Sequence, residues 1–170
     1  MPFSHSEGRP WMLERLRNLQ PESMLDIGAG SGTYGKMFAE HFPHAYRVGI
    51  EIWRPYLIRF DLPTLYDDMH CVDVREYFMF PSTDVIIMGD VLEHMTEADA
   101  LRVWDMARDA ARKAVYLSIP IIHYPQGEYE GNPHEAHVVD DWNHERVLAT
   151  FDGIGECYQG SVVGAYEALA

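Results

Sequence analysis

The sequence predicts a doubly wound α/β fold, a mostly parallel sheet with helices on both faces, and three observations predict it. Short apolar runs alternate with helical stretches along the chain, the rhythm of βαβ units. The run DVIIMG (84–89) is apolar at nearly every position, as a strand buried on both faces should be. Glycines 28, 30 and 32 stand between an apolar run and a helical one, where a parallel sheet makes its first ligand-binding turn.

The elements follow in order. In WMLERLRNL (11–19), Leu13, Leu16 and Leu19 recur at helical intervals, and Pro21 ends the run, giving an N-terminal helical segment over 1–22. SMLDIG (23–28) is the first strand. Tyr34, Met37, Phe38 and His41 mark one face of a helix over 33–42. YRVGIE (46–51) is the second strand, a short helix over 54–60 breaks before Pro63, and MHCVDV (69–74) is a weaker third strand. After the fourth strand, Thr96 and Asp99 cap a helix over 98–112 that buries Leu101, Trp104, Ala107 and Ala111. AVYLSIP (114–120) is the fifth strand, ended by Pro120. Residues 121–142 are irregular, rich in His, Tyr, Gly and Pro, and too long for a plain connector. A helix over 143–150 precedes two β-rich runs, 154–159 and 161–167, which Gly160 divides as a hairpin turn would.

The 170 residues suit a single domain over 1–170, and a 47% hydrophobic share supplies its core. No apolar run reaches the roughly 20 residues of a membrane helix. MPFSHSEGRP lacks the basic start and apolar stretch of a signal peptide. Cys71 and Cys157 show no metal-ligand spacing, so a cytoplasmic location with reduced thiols is expected. The formal net charge of −14 repels polyanions. Arg102, Arg108, Arg112 and Lys113 read as part of a helix already laced with acids, not as a basic stripe. A nucleic-acid substrate is therefore disfavoured. Oligomeric state is not readable.

MLDIGAGSGTYGKMF (24–38) holds the strongest chemical pattern. Glycines let the backbone turn tightly and approach a ligand, and the helix behind offers free N–H groups. Glu51 ends the second strand roughly 20 residues on, where an acid can accept both hydroxyls of a ribose. Asp73, read as the end of the third strand, is placed to hold an exocyclic amine. Asp90 ends the fourth strand. Each acid alone is as readily a loop residue or helix cap. Together, at the carboxyl edge of a sheet, they point to a nucleoside site.

These residues carry a resemblance. LDIGAGSGTYG, GIEIW, CVDV and DVIIMGDVLEHM resemble the four strand-end motifs of the class I S-adenosylmethionine-dependent methyltransferases, over at least residues 23–120. The DVLEH form is similar to that of the small-molecule branch. The resemblance implies a seven-stranded sheet in the order 3-2-1-4-5-7-6, S-adenosylmethionine as cofactor, and methyl transfer to a small-molecule acceptor by in-line displacement. It implies that Asp26 and the backbone of Gly28, Ala29, Gly30 and Gly32 border the methionine part. Glu51 would bind the ribose, Ile52 would pack on the adenine, and Asp73 and Val74 would meet its edge. Asp90 and Val91 would line the route to the acceptor. A nicotinamide site is the rival reading, but its Gly-x-Gly-x-x-Gly spacing fails, because the third glycine comes one residue early at Gly32. The Asn/Asp-Pro-Pro-aromatic motif of base amino-methylation is absent at Gly89-Asp90-Val91-Leu92. A protein or nucleic-acid methyltransferase, or a silent cofactor-binding module that regulates or scaffolds a partner, stays open.

Candidate bases are His94, His123, His134 and His137, since histidine titrates near neutrality. Glu93 and His94 can equally cap the loop after the fourth strand. His134-x-x-His137 with Asp140 and Asp141 has metal-capable residue types, yet two histidines and nearby acids are too common a pattern, and no metal is expected. With no inserted cap domain, the acceptor pocket is expected from segment 1–12, the loop after Asp90, and residues 121–142. Trp142 is expected to anchor that loop.

Overall fold

Side-chain alternation decides the architecture, because successive residues of a strand point to opposite faces. A computed structural model describes residues 4–170. In β1 (Ser23–Ile27), β4 (Thr83–Gly89) and β5 (Ala111–Pro120), neighbouring residues feed two separate cores. Leu25, Ile27, Ile86, Met88, Val115 and Leu117 share one core with Val103, Trp104 and Ala107 of α4 (Glu97–Ala110) and Val147 of α5 (His144–Thr150). Met24, Val85, Ile87, Ala114 and Tyr116 share the other with Met12 and Leu16 of α1 (Arg9–Leu19) and Tyr34 and Phe38 of α2 (Thr33–His41). Helices thus cover both faces, as expected.

With β2 (Tyr46–Glu51), β3 (Asp68–Cys71), β6 (Glu156–Gln159) and β7 (Val163–Leu169), the sheet has seven strands in the order β3-β2-β1-β4-β5-β7-β6. The first five are parallel. β7 runs antiparallel to both β5 and β6. The register sets Ile27 beside Ile50 and Met88, so the carboxyl ends of β1, β2 and β4 finish level with one another. The short helix α3 (Arg54–Arg59) leads to a third, smaller apolar cluster of Ala29, Leu62 and Tyr66.

Two elements end elsewhere than the sequence suggests. α4 stops at Ala110, and Ala111 is already extended. Arg112 and Lys113 lie in β5, not on the acid-laced helix, because both bind Asp84, which is 5% exposed on the adjacent strand. The Arg112 Nε and Lys113 Nζ each stand 2.9 Å from that carboxylate. β3 ends at Cys71, so Asp73 lies beyond the strand. It caps a 3-10 turn over Val74–Glu76 by accepting from the Arg75 N–H. Thr96 caps α4 as expected, accepting from the Asp99 N–H.

The loop 121–142 is irregular but well tied. Within it the Tyr124 N–H reaches the Asp140 carbonyl, the His137 N–H reaches that of Gln126, and Asn132 pairs with Tyr129. Arg59 binds Glu130 from α3's end, and Trp142 is buried, anchoring the loop. At the other end of the chain, the Glu7 carboxylate accepts from the N–H groups of Ser161, Val162 and Val163. These bonds, with that of the Ser161 hydroxyl first among them, hold its pKa down at about 2. No helix of the described residues is long and apolar enough to cross a membrane.

Candidate active site

The site begins where β1 runs into its glycine turn. Gly28 has φ +73° and Gly30 φ +53°, conformations that disfavour side chains. A Cβ on Gly28 would also sit 2.7 Å from the Val91 side chain. The turn is fastened to β2. Gly28 and Ala29 donate to the Ile50 carbonyl at 2.9 and 3.0 Å. Gly30 donates to Glu51 Oε2 at 2.8 Å, and Trp53 donates to Oε1 at 2.7 Å. Glu51 is 5% exposed, and burial raises its pKa against the pull of those two N–H groups.

One cleft runs along these strand ends. It is lined by Gly28, Gly30, Glu51, Ile52, Asp73, Val74, Asp90 and Val91 of the expected cofactor residues. Asp26, Ala29 and Gly32 are not among the residues that line it. Asp26 is fully buried and accepts from the Tyr66 hydroxyl at 2.5 Å. Desolvation raises its pKa to about 7, so it props the turn from beneath rather than facing a ligand. Ala29 packs on Leu62 and Tyr66. Gly32 starts α2, and the side chains of Leu65 and Leu62 fill the space where its Cβ would stand.

Asp73 lines the cleft with its carboxylate already engaged. Arg75 Nε lies 2.9 Å from Oδ1 and its terminal nitrogen 2.6 Å from Oδ2, and that contact lowers the Asp73 pKa. Arg75 itself lines the cleft, as do Ser4, Asn132 and Glu135. No sequence pattern marked these four, since each arrives from a neighbouring turn or from the long loop.

Asp90 stands at the centre. Its φ of +53° is rare for a non-glycine residue, the kind of strain that collects at functional positions. The Ser118 hydroxyl and the His5 N–H donate to its carboxylate at 3.0 and 2.8 Å, while burial raises its pKa. On its far side lies a second cavity, lined among others by His5, Glu93, Tyr124, Gln126 and His137. Among the described residues, Asp90 and His94 alone belong to both. Segment 1–12, the turn after Asp90 and the 121–142 loop do form this region, though residues 1–3 of that segment lie outside the described part.

The four candidate histidines separate. His94 is half-buried, and desolvation drives its pKa to about 4, too weak for an effective base near neutrality. His137 lies beside it with ring centroids 4.9 Å apart, and burial lowers its pKa as well. His134 lines the first cleft and leans on Trp53. His123 lines neither cavity; its side chain is 70% exposed, 3.8 Å from Asp140. The pattern His134-x-x-His137 with Asp140 and Asp141 does not assemble. His137 meets His94 and Glu93 instead, with one ligand atom from each within 4.8 Å of the others.

The profile of the methyltransferase domain matches residues 25–114. The chain belongs to the methyltransferase-domain family. The matched span takes in the glycine turn, Glu51, Asp73, Asp90 and His94. No curated protein matches the sequence. Among solved structures, the 1,6-didemethyltoxoflavin-N1-methyltransferase of Burkholderia thailandensis, bound to 1,6-didemethyltoxoflavin and S-adenosylhomocysteine, is 15% identical. The alignment covers 96% of this chain and 78% of that one, with a TM-score of 0.70. The magnesium protoporphyrin IX methyltransferase of Synechocystis, with bound S-adenosylhomocysteine, is 16% identical over 94% and 80%, with a TM-score of 0.68. A candidate O-methyltransferase of Nostoc punctiforme is 17% identical over 92% and 54%, with a TM-score of 0.66. The methyltransferase domain described here therefore spans about half the length of that last protein, and the same holds for the pyocyanin biosynthetic protein PhzM, at 52%. At these identities the likeness is one of fold.

Proposed function

We propose that this chain transfers the methyl group of S-adenosylmethionine to a small-molecule acceptor. One observation carries the reading: a buried carboxylate, Glu51, faces a cleft whose opposite wall is the left-handed glycine turn. Such a cleft admits a nucleoside close to backbone and gives its sugar hydroxyls an acceptor. Glu51 is already oriented by Gly30 and Trp53, and each of its oxygens keeps a lone pair for a hydroxyl. Ile52 and Val74 offer apolar walls for a purine, and Asp73 and Arg75 its polar edge. When bound, the sulfonium supplies the electrophilic methyl group, and the protein supplies orientation and field. Asp90 and His94 stand where the cleft, with Val91 in its wall, meets the second cavity, which we assign to the acceptor. Holding the two reactants in adjoining cavities is itself worth several kcal/mol of barrier.

A polyanionic acceptor fits poorly with a net charge of −14, and the two basic residues nearest β4 are spent on Asp84. We read all of 1–170 as one domain, and its site of action as the cytoplasm, where two exposed cysteines stay reduced. Calorimetric titration with S-adenosylhomocysteine, and with NAD as competitor, tests the cofactor. Saturable binding that NAD does not displace is the expected result, and no binding overturns the reading. Cofactor binding without product formation across varied acceptors would favour a regulatory module.

A further inference from the structure

Glu93 is the one carboxylate of the described residues whose two oxygens are both buried without a hydrogen-bond partner. It is 1% exposed, in the 3-10 turn Leu92–His94 that follows β4. Burial pushes its pKa well above the ordinary carboxyl range, so the charged form is disfavoured there unless a cation pairs with it. One ligand atom from each of Glu93, His94 and His137 lies within 4.8 Å of the other two. His94 Nδ1 lies 3.1 Å from the Ala136 carbonyl, and His137 Nδ1 lies 2.6 Å from that of Tyr124. A carbonyl only accepts, so each Nδ1 carries the ring proton and each Nε2 keeps a bare lone pair. This is the outer-shell arrangement that orients imidazoles for metal ligation. The two halves of the cluster are locked together, because the N–H groups of Val138 and Val139 both donate to the Glu93 carbonyl, at 2.8 and 3.1 Å.

We propose that Glu93, His94 and His137 bind a divalent first-row transition cation at the floor of the second cavity. Two imidazoles and one carboxylate are a donor set for zinc, iron, cobalt or manganese, whereas magnesium and calcium prefer oxygen alone. The cation would supply the positive charge that the Glu93 carboxylate lacks. Burial holds both histidines in the neutral form that ligation requires. Three protein donors leave coordination positions open to the cavity, where a hydroxyl or carboxylate oxygen of the acceptor completes the shell. That last consequence rests on the methyl-transfer reading; the cation site does not.

The test uses the full chain, stripped with a chelator and titrated with Co2+ while its visible absorption is followed. One equivalent should bind with ligand-field bands of nitrogen and oxygen donors. Glu93→Gln and His137→Ala should each weaken binding at least about tenfold. Affinity for S-adenosylhomocysteine should stay within about twofold of the parent, since neither residue lines the first cleft. His137 sits in a loop, so that variant carries the test should Glu93→Gln unfold by circular dichroism. Acetohydroxamate, a bidentate oxygen probe, should shift the Co2+ bands. No Co2+ binding in the millimolar range, or equal binding in both variants, overturns the site. Unchanged bands with acetohydroxamate overturn its open positions. Failure of S-adenosylhomocysteine to bind would overturn the methyl-transfer reading instead and leave the Co2+ result standing.

Discussion

On one side of Asp90 the polar groups of the cleft are spoken for; on the other, two oriented imidazoles face a carboxylate with no partner. Gly28, Ala29 and Gly30 spend their N–H groups on Ile50 and Glu51, and Asp73 is held by Arg75. That edge is shaped before any ligand arrives, so the proposed nucleoside would find its partners in place. The imidazoles of the second cavity are oriented with equal care by Ala136 and Tyr124, but the Glu93 carboxyl between them is left without a partner. Organisation and satisfaction are separate properties: the first prepares a site, and a lack of the second asks for an explanation, which the proposed cation supplies.

The sharpest way to break this contrast is to relax the support under the glycine turn. The Asp26 pKa is about 7 in the folded chain against an ordinary 3.8, so folding favours its protonated form. Its stabilising contribution is complete below about pH 4 and is lost as the pH rises through 7. The full penalty reaches up to about 4 kcal/mol. Asp26→Asn, which can still accept from Tyr66, should flatten the fall in urea-denaturation stability between pH 5 and 8. An unchanged slope would mean that the turn does not rest on a protonated Asp26. Glu51, Asp90 and Glu93 share the upward direction, so some slope should remain.

Glu51→Gln comes next. It replaces an anionic acceptor by a neutral amide and should cost about 1–3 kcal/mol of S-adenosylhomocysteine affinity by calorimetry. Asp73→Ala should cost less, about 1 kcal/mol, because Arg75 already shares that carboxylate at a partly exposed position. An Asp73 effect as large as that of Glu51 would remove the distinction between the two acids. Smallest of all, His123→Ala should leave both cofactor affinity and melting stability within about 0.5 kcal/mol of the parent. A large effect there would mean that the long loop rearranges around its ligand.

Much of the lining of the first cleft was legible in the sequence. Strand-end acids and a glycine turn are local patterns, and Glu51 and Asp90 sit at β2 and β4 because a buried parallel strand is easy to recognise. The limits of that legibility are physical. Asp26 belongs to the same motif, yet strand alternation turns it toward Tyr66, forty positions away, a contact no local pattern reveals. Ala110 and Ala111 differ in nothing but their neighbours, and the helix ends between them because Asp84 draws Arg112 and Lys113 into the sheet. His134 and His137 are spaced like partners in the sequence. The chain instead brings His94 across to His137, since the Glu93 carbonyl holds Val138 and Val139.

Among the described residues, only Asp90 and His94 line both cavities. A change at either of these two side chains should therefore be felt on both sides at once. His94→Ala should accordingly alter the affinity for S-adenosylhomocysteine as well as Co2+ binding, read by calorimetry and visible absorption.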